Sequence, residues 1–196
     1  MESEDEVIKG LTRFFFEVGS LRKMARAHRQ SLLTDDLSDN IAAHSYRVGI
    51  IGWFLAQQEG ADAGKVLLMS LFHDLGETRS GDQSWIHKRY VKIFENEITA
   101  EQFKGLPGEA NLNEMAKEYH DRETKEAKVA KDADMLDQFL LLREYEWQGN
   151  REAAKWLENI ERQGYLFTET AKKICAELLK QDPSEWWENI WTRNRR

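Results

Sequence analysis

The pair His73-Asp74 constrains this chain more than any other feature of its sequence. It closes the apolar run 66–72, so an imidazole and a carboxylate stand at the end of a segment suited to a helix in the protein interior. Removing a carboxylate from water is costly unless an opposite charge compensates it, and a divalent cation does so most simply. The doublet therefore predicts a metal site at the end of a buried helix.

The composition favours an all-α fold. Helix-forming residues dominate, the chain has only two prolines, and apolar runs rich in β-branched residues between turn residues are hard to find. The length of 196 residues suits one domain. We predict a single-domain helical bundle over 1–196, with a core over about 7–148 on which C-terminal helices within 151–193 pack.

Apolar spacing and capping residues give the expected bounds of the main helices. They are, in chain order, about 7–27, 41–58, 63–74, 124–148 and 184–193. The last of them carries Trp186, Trp187, Ile190 and Trp191 as a wide aromatic face, which is typical of core or dimer packing.

Charge and cysteine content narrow the classes of function. A net charge of −7 disfavours a general nucleic-acid surface or an anionic membrane surface, but it is compatible with small anionic substrates. The single Cys175 excludes an intramolecular disulfide. The N-terminal segment is acidic where a signal peptide would be basic, and no stretch approaches the ~20 apolar residues of a membrane span. We expect a cytoplasmic protein.

Two further residues share helix faces with core positions. His44 is in step with Val48 and Leu55 on the buried face of the second helix. Asp134 lies in the row beside the core stripe of the long helix 124–148, at the edge of the core. Asp132 lies roughly 200° around from Asp134 on a helix, so we expect it to face solvent.

Three helices thus direct His44, His73, Asp74 and Asp134 toward one interior point. Two imidazoles and two carboxylates suit Mn²⁺, Co²⁺, Fe²⁺ or Zn²⁺ better than Ca²⁺, which prefers oxygen throughout. The sequence predicts a divalent transition metal at this point and leaves its identity open.

The order His, then His-Asp, then a distant Asp resembles the HD-domain metal-dependent phosphohydrolases, a helical superfamily. Over about 18–145 the chain is similar to the branch that contains the bacterial 5′-deoxynucleotidases and their archaeal and eukaryotic relatives. The segments that carry the likeness are AHSYRV (43–48), HDLGE (73–77), Gly81-Asp82 and KDAD (131–134). This resemblance implies one metal per chain. Branches that hold two metals use additional histidines between the doublet and the last aspartate, and here that interval offers only His87 and His120, which are not closely paired.

The same resemblance implies that Glu77 and Asp82 are the catalytic acids. Local spacing agrees for Glu77, which falls four residues after His73 and three after Asp74. For Asp82 the role depends on the resemblance.

The substrate-binding residues follow from the likeness and from charge. Arg26 is the best match for the phosphate-binding arginine of relatives, with Arg29 next, although the tryptophan that often follows this arginine is absent. Arg79 supplies positive charge close in sequence to the acids and is the second candidate for binding substrate.

The resulting hypothesis is metal-dependent hydrolysis of a nucleoside 5′-monophosphate. Glu77 or Asp82 would orient or deprotonate the attacking water, and Arg26 would balance charge on the phosphate. Two alternatives stay open, namely an enzyme for another nucleotide such as a triphosphate or an alarmone, and a non-catalytic helical adaptor with a structural metal or none. The resemblance and the terminal tryptophans also lead us to expect a homodimer.

Overall fold

The computed structural model describes residues 3–158, 160, 164–188 and 190, and within them the chain is all-α, which confirms the predicted fold class. A 3₁₀ turn, Gly19–Lys23, follows the first helix. The α-helices are α1 (Glu4–Val18), α2 (Arg29–Leu32), α3 (Ile41–Glu59), α4 (Ala63–Phe72), α5 (Glu77–Ser80), α6 (Trp85–Lys88), α7 (Glu95–Phe103), α8 (Glu109–Asp121), α9 (Lys125–Trp147), α10 (Arg151–Leu157), α11 (Glu169–Leu178) and α12 (Glu185–Glu188).

Side-chain caps set the starts of the helices that matter for the site. The Asn40 side chain accepts a hydrogen bond from the backbone N–H of Ala43 at the start of α3, and Gly60 ends this helix with φ +64°. Asp62 and Thr124 cap α4 and α9 in the same way. The observed bounds of α3 and α9 therefore agree closely with the predicted ones.

The first and third helices are shorter than predicted. The predicted helix 7–27 ends at Val18, because the backbone of 24–26 bonds across to the segment before α3 rather than along its own helix. Met24 O accepts from Ile41 N over 3.1 Å, and Arg26 N donates to the carbonyl oxygen of Asp39 over 3.0 Å. The third helix ends at Phe72, so the doublet stands at its C-terminus.

The core lies where α3, α4 and α9 meet. Val48, Leu55, Val66 and Leu136 are fully buried there. Gly52 of α3 permits the close approach, since a Cβ atom at this position would lie 2.6 Å from Ser70 Oγ of α4. These three helices are the ones on which the sequence placed the predicted metal ligands.

The C-terminal aromatic face is described only in part. α12 covers Glu185–Glu188, and 189 and 191–193 of the predicted helix 184–193, Trp191 among them, lie outside the described residues. Trp186 and Trp187 are exposed. A homodimer stays a prediction, and a monomer mass in light scattering would contradict it.

No helix among the described residues combines the length and the apolar character needed to cross a bilayer.

Candidate metal centre and adjoining pocket

Three predicted ligands from three helices converge. His44 comes from α3, His73 from the end of α4 and Asp134 from α9, and one ligand atom from each lies within 4.8 Å of the other two. Nε2 of His44 is 3.3 Å from Nε2 of His73 and 3.4 Å from Oδ1 of Asp134.

Asp74 adds a second carboxylate to this group. Its Oδ2 lies 3.4 Å from Nε2 of His44 and 3.1 Å from Nε2 of His73. Ligand atoms that share a first-row divalent metal at about 2.1 Å are about 3.0–3.4 Å apart in tetrahedral or octahedral geometry. All four side chains have donor types that suit such an ion. The His–His and His–Asp separations fall in this range except that between Nε2 of His73 and Oδ1 of Asp134, which is 3.9 Å. We call the four side chains the HD cluster.

Both carboxylates of the HD cluster favour the ionised form. Burial alone would raise the pKa of Asp74, but the imidazoles of His73 and His44 hold it well below its usual range. Burial likewise opposes ionisation of Asp134, whose pKa is held low by Lys131 and then by the two imidazoles. Two anionic oxygens are thus available to a cation.

The far nitrogens of both imidazoles are occupied. Nδ1 of His73 donates to the carbonyl oxygen of Ser70 over 2.7 Å, and Nδ1 of His44 lies 2.6 Å from Oδ2 of Asp137. Asp137 is buried and also accepts from Nε of Arg47. Each ring is therefore fixed with Nε2 directed at the HD cluster.

Asp137 lies one turn after Asp134 on α9, and no function was predicted for it from the sequence. Two equal spacings in the sequence could have indicated its role. Asp137 follows Asp134 by three residues, and Arg47 follows His44 by three. Those spacings bring one carboxylate against one imidazole and one guanidinium.

The second oxygen of Asp134 has partners of its own. Oδ2 accepts from Nζ of Lys131 at 2.5 Å and from the hydroxyl of Tyr119 at 3.4 Å. The Tyr119 ring centroid also lies 5.5 Å from that of His73. These contacts direct Oδ1 of Asp134, rather than Oδ2, toward the imidazoles.

Glu77, Asp82 and Arg26 form an acidic and basic group beside the HD cluster. Glu77 begins α5, and burial, followed by the charges of Asp74 and Asp82, raises its pKa to about 9. Asp82 Oδ2 accepts from the backbone N–H of Ala27 at 2.6 Å and lies 3.4 Å from Nε of Arg26.

The Arg26 guanidinium has an unused donor in this group. Its Nε is buried and finds no acceptor with hydrogen-bond geometry in the described part of the chain, although Asp82 is within ion-pair distance. Burial lowers the pKa of Arg26, but the charges of Asp74, Asp82 and the neighbouring acids raise it overall. Arg26 is therefore charged, while its buried Nε lacks a hydrogen-bond acceptor among the described residues.

Arg79 is not brought to this group. Its Nε and Nη2 bond the carboxylate of Glu17 in α1, and Nη1 bonds Glu101 in α7. Arg29, the second match for the phosphate-binding arginine, begins α2.

The expectation that Asp132 faces solvent is wrong. Its side chain is completely buried and accepts hydrogen bonds from the backbone N–H groups of Phe167 and Thr168, both at 2.8 Å, and from the Thr168 hydroxyl. Helical phase correctly turned Asp132 away from Asp134, but the segment before α11 covers it. Its function is to fix that segment, outside the HD cluster.

A cavity of about 340 Å³ opens onto the HD cluster. Its lining includes His73, Asp74, Glu77 and Asp134, and the rest combines apolar residues with neutral polar ones, three cations and the carboxylate of Glu95. The apolar residues include Ile93, Ile98, Phe103 and Met115, and the cations are Lys88, Arg122 and Lys131. A pocket of this size and lining suits a small anion that carries a less polar group.

Known proteins are similar to this chain over most of its length. The family described as HD domain matches 18–175, a range that includes every residue of the HD cluster. The 5′-deoxynucleotidase HDDC2 of Dictyostelium discoideum is 30% identical over 157 residues, which are 74% of this chain and 80% of that protein.

Solved structures agree with this fold. A predicted metal-dependent phosphohydrolase from Magnetospirillum magnetotacticum superposes with a TM-score of 0.63 at 26% identity, covering 89% of this chain and 94% of that one. A conserved hypothetical protein from Pyrococcus furiosus superposes with a TM-score of 0.72 at 24% identity, covering 87% and 99%, and this likeness concerns the fold alone.

Proposed function

Since this chain belongs to the HD domain family, we propose that it is a metal-dependent phosphohydrolase and that its substrates are nucleoside 5′-monophosphates. The observation that carries the proposal is the convergence of the HD cluster, of which His73, Asp74 and Asp134 line the pocket together with Glu77. Asp82 and Arg26 pair with each other next to this group, outside the pocket lining. The names of the Dictyostelium and Magnetospirillum proteins support the reaction class, and the former supports the nucleotide substrate.

The HD cluster would hold one divalent transition metal through His44, His73, Asp74 and Asp134. When bound, such an ion supplies positive charge to a phosphate oxygen and makes water more acidic. The protein's own contribution is to keep the two Nε2 atoms and the two carboxylates in place, which the contacts of Asp137 and Lys131 support.

Arg26 is the residue that we assign to the phosphate. A guanidinium offers several N–H donors in one plane, and the buried Nε of Arg26 is without an acceptor in the described structure. A phosphate monoester would supply the missing acceptor and balance the charge. We leave Arg79 out of the substrate-binding set, because each of its three guanidinium nitrogens already bonds Glu17 or Glu101.

Glu77 and Asp82 are the two acids that could orient or deprotonate the attacking water. Because burial and the charges of Asp74 and Asp82 raise the pKa of Glu77 to about 9, Glu77 would first have to release its proton to act as a base, and a cation bound to the HD cluster would favour that release. Glu77 Oε2 is buried without a partner among the described residues, which suits a group that bonds a ligand or water. Asp82 is committed to Ala27 and Arg26 through Oδ2, which leaves Oδ1 available. Comparing E77Q with D82N would separate the two assignments.

The test is a metal-dependence assay with a matched control. The protein is stripped with a chelator, reconstituted with Mn²⁺, Co²⁺, Fe²⁺ or Zn²⁺, and assayed for phosphate release from ribo- and deoxynucleoside 5′-monophosphates. D74A removes a proposed ligand, whereas D121A removes an exposed aspartate that pairs with Lys117 at the end of α8. We expect D74A to lower kcat/KM by at least about 100-fold, and D121A to leave it unchanged.

Three results would overturn parts of this proposal. Full activity in D74A, or in metal-free protein, would remove the metal from the reaction. Turnover of a triphosphate or an alarmone but of no monophosphate would keep the reaction class and change the substrate. Metal binding without turnover of any nucleotide would favour a non-catalytic adaptor.

A further inference from the structure

We propose that Glu17 of α1 is a positioning residue for the reaction, which acts by holding the α5 turn that carries Glu77. The inference rests on the proposed function, because it takes Glu77 to be one of the reacting acids. The HD domain match begins at residue 18, so Glu17 lies just before it.

The α5 turn cannot hold its own position. It is a single four-residue helix, Glu77–Ser80, and a helix of one turn is unstable without tertiary contacts. Glu77 is its first residue, and the side chains of the next two, Thr78 and Arg79, both bond Glu17. The placement of Glu77 therefore depends on contacts outside the turn.

Glu17 binds both side chains through short hydrogen bonds. Oε1 accepts from the Thr78 hydroxyl at 2.9 Å and from Nε of Arg79 at 2.7 Å, while Oε2 accepts from Nη2 of Arg79 at 3.1 Å. The last two contacts form a bidentate carboxylate–guanidinium pair. Hydrogen bonding from Arg79 lowers the pKa of Glu17 to about 2, so this carboxylate is ionised at neutral pH.

Gln102 of α7 extends the network to the backbone between the doublet and Glu77. Its side chain is buried, and Nε2 lies 2.8 Å from Oε1 of Glu17, 3.0 Å from the carbonyl oxygen of Leu75 and 2.8 Å from the Thr78 hydroxyl. Leu75 directly follows Asp74 of the HD cluster. The network thus fixes the short stretch of chain that sets the distance from the metal ligands to the acid.

Glu101 of α7 also binds Arg79, so it serves as a matched control for Glu17. Its Oε2 lies 3.1 Å from Nη1 of Arg79, but its side chain is 73% exposed. None of the hydrogen bonds to Thr78, Gln102 or Leu75 involves Glu101. Removing it deletes an ion pair of Arg79 without releasing the α5 turn.

The first experiment compares E17A with E101Q in metal-loaded protein, using deoxyadenosine 5′-monophosphate as the substrate. A displacement of about 1 Å in a reacting group costs up to about 100-fold in rate, so we expect E17A to lower kcat about 10- to 100-fold. KM should change less than about threefold, since Arg26 and the HD cluster stay in place. Metal content and the circular dichroism spectrum should match the wild type, and E101Q should change kcat less than about twofold.

The second experiment separates positioning from a general structural role. If Glu17 acts through Glu77, E17A lowers kcat in the wild-type background and changes it less than about twofold in an E77Q background. Equal losses in both backgrounds would overturn the inference, as would an unchanged kcat in E17A. If E17A does not fold, E17Q carries the test, because it keeps an oxygen acceptor for Thr78 and should give a smaller loss of kcat in the same cycle.

The outcomes also distinguish this inference from the proposed function. Full activity in E77Q would contradict the role of Glu77 in the proposed reaction. An inactive E77Q beside a fully active E17A would contradict only the role of Glu17.

Discussion

Oδ2 of Asp137 lies 2.6 Å from Nδ1 of His44, and this contact decides which imidazole nitrogen faces the HD cluster. An ionised carboxylate is only an acceptor, so it keeps a hydrogen on Nδ1, and Nε2 is the nitrogen that would give up its hydrogen and offer a lone pair to a metal. Arg47 bonds the other oxygen of Asp137 and also pairs with Glu144 at 2.6 Å. Charged side chains of alternating sign therefore connect Glu144 of α9, through Arg47 and Asp137, with His44 of the HD cluster.

Replacing Asp137 with asparagine should weaken metal binding. D137N keeps the size of the side chain but removes the negative charge that makes His44 a better ligand, and changes of this kind cost about 10- to 100-fold in metal affinity. The measurement is a calorimetric titration of metal-free protein with Zn²⁺ or Mn²⁺.

The control for D137N is E144Q. Glu144 touches the same arginine, but its side chain is 40% exposed and its hydrogen bond is to Nη1 of Arg47. We expect E144Q to change the dissociation constant less than about twofold. Wild-type affinity in D137N would show that His44 is oriented by other contacts.

Replacing Asp132 with alanine should destabilise the fold without changing the site. The substitution removes the buried carboxylate that accepts from the N–H groups of Phe167 and Thr168, and each hydrogen bond to a charged group contributes about 1.5–3 kcal/mol. We expect the free energy of unfolding in urea to fall by about 2–4 kcal/mol. Metal content per folded chain should stay at the wild-type value, and a loss of metal would mean that Asp132 also supports the HD cluster.

Local pattern was sufficient for the helices that carry the site. The bounds of α3 and α9 followed from Asn40, Gly60 and Thr124, because caps act on backbone groups only a few residues away. Helical phase turned His44 and Asp134 inward for the same reason. These features depend only on residues that are close in sequence, so a single sequence is enough to predict them.

The remaining features depend on partners that are distant in sequence. Phe167 lies far along the chain from Asp132, and Glu17 lies far from Arg79. Periodicity gave the direction of Asp132 but not the segment that covers it. Proximity in sequence suggested that Arg79 serves the acids, while a carboxylate of α1 takes most of its donors. No pattern in a single sequence indicates that these distant residues are in contact.

Adding a methyl group at Gly52 should destabilise the protein although alanine favours helices. A Cβ atom there would lie 2.6 Å from Ser70 Oγ and 3.1 Å from Cγ1 of Val66, so the Ser70 hydroxyl would have to rotate and α3 would have to shift from Val66 of α4. Overpacking of a buried contact costs about 1–3 kcal/mol. The measurement is urea unfolding of G52A, together with its metal affinity, which should fall because these helices hold His44 and His73.

The control for G52A is G10A, in the interior of α1. A Cβ atom at Gly10 would meet only Cδ2 of Leu106, at an ordinary 3.7 Å. Helix propensity should then dominate, and we expect G10A to raise the free energy of unfolding by up to about 1 kcal/mol. Equal stability changes in the two variants would contradict the close packing of α3 against α4.

The stability conferred by Glu17 should depend on pH in a defined window. Hydrogen bonding from Arg79 lowers its pKa from 4.5 to about 2 in the folded protein, so the unfolded chain takes up the proton first as the pH falls. The contribution of Glu17 is therefore fully present above the unfolded pKa and is lost as the pH falls through the folded one. We expect the difference in free energy of unfolding between the wild type and E17Q to be constant near neutral pH and to shrink steadily between about pH 4.5 and about pH 2. Chemical unfolding of both proteins across this range, with E101Q as the control that retains Glu17, measures the difference, and a pH-independent gap would mean that the charge of Glu17 does not hold the α5 turn.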